Sequence, residues 1–283
     1  MSDLTTLLLI AAVFAYLAGF IRLWRQRAPL IDPSPASGLT LTGVSSHQID
    51  SLFFLISGAA VVLHSLLLSQ SLFVPGGLNL SLVTVSNVVA LVMLGAVLVC
   101  NVRLPVHNLN IFLLPIALFN LTSLALAADR PVTVSAALSD AEISHVILSI
   151  SAYAVLMTAA LQSLLLAFQE RRLKHPTAHN LAFLPALETI ERLLLAMLWI
   201  GTGLLTLSIV TGFIFLEDMF AQHVVHHTIL TTCSWLVYSG FLIGHHFVGW
   251  RGITAIRWNL AAFGFLMLGY LGSKFVIEYL LQS

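Results

Sequence analysis

Charged residues are scarce in this sequence: they make up 8% of its 283 positions, whereas soluble domains contain about a quarter. A chain this poor in charge cannot cover a water-facing surface, which excludes a soluble globular protein and a disordered chain. Its 12 basic residues only balance its 12 acidic residues, so no basic excess exists to neutralise nucleic-acid phosphates. Cysteine is also rare: Cys100 and Cys233 form neither a CxxC pair nor the CxxCH motif of covalent c-type haem.

Long apolar runs are abundant instead, since 59% of the residues are hydrophobic and the mean hydropathy is +0.99. A membrane-spanning helix needs about 20 mostly apolar residues. Eight stretches meet this length: 4–24, 50–70, 80–101, 106–127, 142–169, 188–216, 225–248 and 256–280. We therefore expect an all-α, polytopic transmembrane helix bundle that forms one integral membrane domain over residues 1–283.

Basic residues are distributed unevenly between the two sides of this bundle. Ten Lys and Arg residues lie in or beside the connections after spans 1, 3, 5 and 7, whereas the opposite connections hold only Arg130. Cytoplasmic connections of membrane proteins carry the excess of Lys and Arg. The pattern predicts a multi-pass protein of a bacterial inner membrane with both termini on the outer, periplasmic side.

The candidate functional residues are histidines in the predicted outer half. Ionisable side chains at membrane depth are costly and usually face a cavity or a partner. His145 opens the fifth span, and His226 and His227 open the seventh, at similar depth. Two imidazoles that face each other across a bundle form the ligand set of an axially bis-ligated haem. We take His145 and His226 as the preferred axial pair for a haem iron, with His227 as a further cofactor-binding candidate.

Other interpretations of these histidines remain open at this point. His223 and His227 are four residues apart and could share a helix face that binds a divalent metal, joined by Glu217 or Asp218. His145 could equally be a polar residue at a helix N-terminus beside Glu142.

Three further residues are candidates for cofactor binding. His64 lies about fourteen residues into the second span, roughly 21 Å from its start, and is as readily a buried hydrogen-bonded histidine as a ligand. Asn87 carries polarity into the same half of the bilayer, where it serves either helix packing or hydrogen bonding to a ligand. Tyr153 lies two turns below His145 on roughly the same helix face and is expected to line its cavity.

Sequence motifs for phosphate binding or hydrolysis are absent. The chain contains no Walker motif, GxGxxG, GxSxG or HExxH. We therefore expect no catalytic residues and no enzymatic activity from the chain alone.

Several segments, taken together, resemble the cytochrome c assembly proteins of the CcsA/CcmC/HemX type. They appear in the expected order over nearly the whole chain, and the likeness is greatest to the short YpjD-type inner membrane proteins of that family. The segments are His145-Val146 through Ser151-Ala152-Tyr153-Ala154, Leu184-Pro185-Ala186-Leu187-Glu188-Thr189-Ile190-Glu191-Arg192, Thr211-Gly212, Trp235-Leu236-Val237-Tyr238, Gly249-Trp250-Arg251-Gly252 and Gly272-Ser273-Lys274-Phe275.

The resemblance implies a protein that binds b-type, non-covalent haem and acts in haem trafficking or cytochrome c maturation. It implies that His145 is an outer-side ligand, that His226 lies where a second ligand would come from, and that His64 matches a histidine within an early span. The implied partners are the lipid bilayer and other cytochrome c maturation or haem-supply membrane proteins. One departure is clear: classical members of the family carry a tryptophan-rich WWD segment in an outer loop, whereas the predicted outer loops 71–79, 128–141 and 217–224 contain no tryptophan. Haem binding is therefore better supported than haem presentation to an apocytochrome.

Two other classes of function fit a polytopic bundle with a polar outer half. One is a transporter or channel for a small solute or a cation, and the other is a non-catalytic subunit of a larger membrane complex. Inverted repeats and interrupted spans would indicate the first, and the sequence contains neither clearly.

Overall fold

The computed structural model describes residues 3–31, 51–104, 106–128, 134–135, 138–173, 187–215 and 225–276. These residues form eight helices, one in each predicted span, so the all-α prediction is confirmed. The helices are α1 Asp3–Ile31, α2 Ser51–Leu72, α3 Leu82–Cys100, α4 Asn110–Leu126, α5 Asp140–Leu173, α6 Leu187–Phe215, α7 Val225–Val248 and α8 Ile253–Met267. A 3₁₀ turn, His107–Leu109, precedes α4, while a π turn, Leu268–Gly272, and a last turn, Ser273–Phe275, continue α8.

Seven of these helices are long and apolar enough to cross a membrane by length and composition; they are α1 to α6 and α8 with its continuation to Phe275. Helix α7 has the length, about 36 Å for its 24 residues, but its four histidines make it less apolar. Its exposed residues Ile229, Leu236 and Ile243 are spaced seven apart and form one apolar stripe. A stripe of this kind suits a lipid-facing helix surface.

A small three-stranded antiparallel sheet, which the sequence did not predict, lies at one end of the bundle. Its strands are β1 Phe73–Val74, β2 Gly77–Asn79 and β3 Val134–Ser135, in the order β1-β2-β3. Pro75 and Gly76 form the turn between β1 and β2, and the φ of 97° at Gly76 suits the glycine position of a type II turn. The sheet joins the connection between α2 and α3 to the connection between α4 and α5. We call this end of the bundle, where α3, α5 and α7 begin, the sheet end; the charge pattern predicts that it faces outward.

Side-chain caps fix where two helices begin at the sheet end. The Ser139 hydroxyl accepts from the Glu142 backbone N–H at 3.3 Å, and the Glu142 carboxylate accepts from the Ser139 N–H at 2.8 Å. This reciprocal pair is a capping box, which starts α5 one turn before His145. Ser81 caps α3 in a similar way through Thr84.

The helices pack as two four-helix halves, α1–α4 and α5–α8. Within each half, neighbouring helices pack along their lengths, and the main helix contact between the halves is α5 against α3. Fully buried leucines fill both halves, including Leu94 and Leu114 in the first and Leu156 in the second. The second half contains His145 and α7, whereas His64 belongs to the first half.

Candidate functional site

His145 is held in one orientation by the helix that faces it. Its Nδ1 lies 2.9 Å from the backbone oxygen of Ser208 and 3.2 Å from the hydroxyl of Thr211, both on α6. A carbonyl oxygen can only accept, so Nδ1 carries the ring proton and Nε2 is the unprotonated nitrogen. Histidines that bind a metal are commonly oriented in this way: the ring nitrogen that does not bind the metal donates its proton to a carbonyl or carboxylate oxygen.

The Nε2 atom of His145 contacts only a hydroxyl group among the described residues. Ser149 Oγ lies 3.3 Å from it, but the same oxygen lies 2.7 Å from both the His145 carbonyl and the Ser208 hydroxyl. A serine has one proton to donate, and the shorter contacts claim it more strongly. His145 Nε2 is therefore the atom that this arrangement leaves for an external ligand.

His227 on α7 is partly buried and within electrostatic range of His145, whereas His226 is exposed. The His227 ring is half-buried, meets the Tyr270 ring edge-on at a centroid distance of 6.0 Å, and interacts electrostatically with His145 and Lys274. The preceding His226 is exposed. The structure thus turns His227 inward, within electrostatic range of His145, and leaves His226 of the preferred pair exposed, while the pairing itself stays a prediction. His223, Glu217 and Asp218 lie outside the described residues.

The rotation of α7 about its axis is what turns His227 inward. The Ser234 hydroxyl donates to the Ala262 carbonyl of α8 at 2.8 Å, and the Trp235 indole donates to the Thr206 hydroxyl of α6 at 2.8 Å. Ser234 lies two turns after His227, so both residues share one helix face. Close packing at Gly269, where an added Cβ would meet Leu230 Cβ at 3.2 Å, fixes α7 against the π turn.

Tyr153 lies two turns after His145 on α5 and packs against Tyr270, the residue whose ring also contacts His227. Its ring contacts Tyr270 at 5.9 Å and Phe263 at 5.7 Å, and only 8% of the residue is exposed. Its hydroxyl is buried and has no hydrogen-bond partner among the described residues. A buried polar atom without a partner costs about 1–3 kcal/mol, so a bound group that supplies the partner fits here.

His64 and Asn87 belong to a separate, closed hydrogen-bond network in the first half of the bundle. The Asn87 Nδ2 atom donates to the Val83 carbonyl at 2.8 Å, which directs Asn87 Oδ1 towards His64 Nε2, also at 2.8 Å. His64 Nε2 therefore carries the ring proton, and Nδ1 accepts from the Tyr16 hydroxyl at 3.0 Å. Both ring nitrogens of this fully buried histidine are bonded within the protein. The structure does not bring His64 to the site of His145 and His227.

Four residues of the site were not identified from the sequence: Ser208, Thr211, Tyr270 and Lys274. Thr211 and Lys274 lie in the segments that carry the family resemblance, which is the only sequence signal that marks them. Ser208 acts through its backbone oxygen, which no sequence pattern can reveal. The inward face of Tyr270 depends on the π turn.

The ligand chemistry of this group is that of two imidazoles, one from α5 and one from α7. The described residues contain no group of three or more His, Cys, Asp or Glu side chains that could hold a metal ion. Two imidazoles suit a metal whose remaining ligands come from a cofactor, as in a bis-histidine haem. The nitrogen available at His145, the neighbouring His227 and the unpartnered Tyr153 hydroxyl all fit such a cofactor.

Comparison with known proteins places the chain among membrane proteins of one family. The family model described as "Cytochrome C assembly protein" matches residues 47–281. The chain is 35% identical over 227 residues to the "Inner membrane protein YpjD" of Escherichia coli K12, an alignment that covers 77% of this chain and 83% of that protein. It is 36% identical over 140 residues to an "Uncharacterized 28.8 kDa protein in nifR3-like 5'region" of Azospirillum brasilense, covering 48% of this chain and 52% of that protein. No solved structure gives a significant match.

Proposed function

The chain belongs to the cytochrome c assembly protein family, and on that premise we propose that it binds haem and acts in haem trafficking or cytochrome c maturation. It is a multi-pass inner membrane protein, with helices long and apolar enough to cross the bilayer. The observation that carries the proposal is the orientation of His145. Its Nδ1 is bonded to the Ser208 carbonyl, its Nε2 is left for a ligand, and a second imidazole, that of His227 on α7, interacts with it electrostatically.

In this proposal, the imidazoles of His145 and His227 would hold the haem iron, and the buried Tyr153 hydroxyl would hydrogen-bond the cofactor. Haem supplies an iron whose two axial positions accept imidazole nitrogens. The chain contains no CxxCH motif, so the haem would be b-type and non-covalent. The Ser208 carbonyl and the Thr211 hydroxyl orient the His145 ring. The hydrogen bond at Nδ1 also makes Nε2 a more basic ligand.

We assign no catalytic step to the chain itself. Attachment of haem to apocytochrome thiols would be the work of partner proteins of the haem-supply or cytochrome c maturation machinery. The absence of tryptophan from loops 71–79, 128–141 and 217–224 favours haem binding or transfer over direct presentation to an apocytochrome.

The test is an optical spectrum of the protein purified in mild detergent, recorded before and after haem addition. We expect the Soret and α/β bands of a six-coordinate, low-spin haem. His145→Ala and His227→Ala should each convert the spectrum to a high-spin form and weaken haem binding by more than about tenfold, because loss of a second-shell partner alone costs 10–100-fold. The matched control is His226→Ala, which removes the exposed neighbour of His227 and should leave the spectrum unchanged.

Two results would contradict the proposal. A wild-type preparation that gives no Soret band after haem addition removes haem binding altogether. Loss of the low-spin spectrum in His226→Ala, with retention in His227→Ala, would restore the pairing of His145 with His226 instead.

A second candidate, a transporter of a small polar solute, is favoured by a group of buried amides at the end of the bundle opposite the sheet. In Asn101 and Asn108, the side-chain nitrogen and oxygen are both buried and have no hydrogen-bond partner among the described residues. The Oδ1 atom of Asn110 is buried and without a partner in the same way. Buried polar atoms are normally paired with protein or water. Solute-dependent thermal stabilisation of haem-free protein that Asn108→Leu abolishes would support this candidate.

A further inference from the structure

A cavity of about 390 Å³ lies in the first half of the bundle, between α1, α2 and α4. It is at the sheet end, where α1 begins and where α2 and α4 end. All three helices are long and apolar enough to cross a membrane, so the bilayer surrounds this part of the protein. The volume lies in the range of about 300–1,000 Å³ that is usual for small-molecule sites.

The lining of this cavity changes from polar to apolar along the axis of the bundle. Its rim, at the helix ends, is formed by the polar side chains of Thr5, Gln70 and Ser71. One to two turns further into the bundle, the lining is apolar and includes Leu9, Leu67, Leu121 and Leu124. The last three of these leucines are buried, so the inner part of the cavity is bounded by the core.

The residues that line the cavity include no charged side chain. A charged group that leaves water for such a site has no opposite charge to pair with, which makes its binding costly. The inner part therefore suits a hydrocarbon chain, and the rim suits an uncharged group that forms hydrogen bonds. Haem, with two propionates, does not match this lining, and His145 and His227 belong to the other half of the bundle.

We propose that this cavity binds one acyl chain of a glycerophospholipid, and that the exposed Gln70 side chain at the rim donates a hydrogen bond to the ester carbonyl of the lipid. In a bilayer, the ester groups lie where the hydrocarbon core meets the polar interfacial region, and spanning helices end at the same depth. The acyl chains run from there towards the midplane. The lining has the same order, with polar side chains at the helix ends and leucines further in. This inference does not depend on haem binding.

The small sheet holds the rim of the cavity in place. The Asn79 side chain of β2 donates from Nδ2 to the Ser71 carbonyl at 3.1 Å, and its Oδ1 accepts from the Ser81 N–H at 3.1 Å. Asn79 is itself buried. It thus joins the end of α2, which carries Gln70, to the residue that caps α3. A rim fixed in this way is formed before the lipid binds, which lowers the entropic cost of binding.

The experiment measures phospholipid retention by native mass spectrometry of the protein purified in mild detergent. We expect the wild type to retain one tightly bound phospholipid. Gln70→Leu removes the donor at similar volume and should weaken retention about two- to tenfold, the net effect of one hydrogen bond. Ala125→Phe fills the cavity from α4 and should abolish retention. Ala96→Phe is the matched control, because Ala96 is an exposed alanine of α3 outside the cavity, and it should retain the lipid.

A second measurement identifies the class of lipid. Delipidated wild type is melted with phosphatidylethanolamine or with oleate, a fatty acid that carries a carboxylate. We expect phosphatidylethanolamine to raise the melting temperature of the wild type and not that of Ala125→Phe, because a ligand stabilises only the protein that binds it. Oleate should stabilise the wild type much less, since its charge has no partner in the cavity.

Each contrary outcome overturns a stated part of the inference. If Ala96→Phe loses the lipid as Ala125→Phe does, the lipid merely surrounds the bundle and the cavity is not its site. If Ala125→Phe gives folded protein that keeps the lipid, the site is also wrong. If that variant does not fold, Gln70→Leu decides, and unchanged retention in Gln70→Leu contradicts the proposal. Stabilisation by oleate but not by phosphatidylethanolamine would replace the phospholipid by a fatty acid.

Discussion

Two histidines with buried or half-buried rings differ in what their nitrogens contact. In His145, one nitrogen donates to the Ser208 carbonyl and the other contacts a serine whose proton is shared among shorter bonds. In His64, both nitrogens take part in short bonds to side chains of α1 and α3. The same residue type therefore serves helix packing in one half of the bundle, and in the other half it keeps a nitrogen available for the ligand that we propose.

The role of the His64 network as a structural link between α1, α2 and α3 can be tested at Asn87. Replacing Asn87 by Leu, which has a similar volume, leaves the buried His64 Nε2 without its partner. We expect the free energy of unfolding to fall by about 1–3 kcal/mol, the cost of an unsatisfied buried polar group. Denaturant or thermal unfolding in detergent measures the change.

The control for this prediction is Asn120→Leu. Asn120 makes only a local bond to the Ile116 carbonyl at 2.9 Å, so its loss should cost much less. If Asn87→Leu also removes the haem spectrum as completely as His145→Ala, then His64 takes part in cofactor binding after all.

At the scale of elements, the connection between α7 and α8 depends on the close packing of Trp250 against Gly244. Trp250 packs onto Gly244, where an added Cβ would lie 2.3 Å from the indole ring, and the His245 Nδ1–H donates to the Trp250 carbonyl at 2.7 Å. The indole also packs against Trp258 at a centroid distance of 5.1 Å. The tight turn is completed by Gly249 and Gly252, whose φ values of 76° and 54° suit glycine.

Gly244→Ala is expected to destabilise the protein by about 1–3 kcal/mol, because the methyl group forces Trp250 out of its place and overpacks the contact. Gly203→Ala is the matched control. That glycine is also helical, but nothing lies within 4 Å of an added Cβ, so alanine should be neutral or stabilising through its higher helix propensity. Equal melting temperatures for the two variants would contradict the packing argument.

The positions of the helices could be predicted from the sequence, because about 20 consecutive apolar residues admit few alternatives to a spanning helix. The rotation of each helix about its own axis could not be predicted. Whether His226 or His227 faces the bundle is a difference of about 100° about the axis of α7, and contacts of Ser234 and Trp235 with other helices decide it. The π turn in the last span and the short sheet depend on tertiary pairing, so they also left no clear pattern in the sequence.

The candidate site was likewise predictable from the sequence only in part. Tyr153 was predicted to lie below His145 because both are on one helix, where spacing alone determines the shared face. Tyr270 and Lys274 were not predicted, because more than a hundred residues separate them from His145. Their place in the site depends on how α8 packs against α5 and α7.

At the scale of the whole molecule, the charge pattern predicts that the sheet end is periplasmic. We expect a membrane-impermeant maleimide to modify Asp140→Cys from the periplasmic side and Arg103→Cys only from the cytoplasmic side. Both positions are exposed and lie at opposite ends of the bundle. Both variants are made in a chain in which Cys100 and Cys233 are replaced by alanine.

Labelling of the two cysteines in intact spheroplasts and in inverted vesicles measures this orientation. Modification of Arg103→Cys in spheroplasts, with Asp140→Cys protected, would reverse the predicted topology. The site would then face the cytoplasm.

Because α8 and its continuation supply Tyr270 and Lys274, the side chains around His145 and His227 come together late in biosynthesis. His145 and His227 leave the ribosome before Tyr270 and Lys274, so a nascent chain that has inserted seven spans contains both imidazoles but neither the ring packed between Tyr153 and His227 nor the lysine bonded to Leu80. These contacts thus form only when α8 enters the bilayer and packs against the earlier helices. In the haem-binding function that we propose, cofactor loading would be a late step that requires translation through α8.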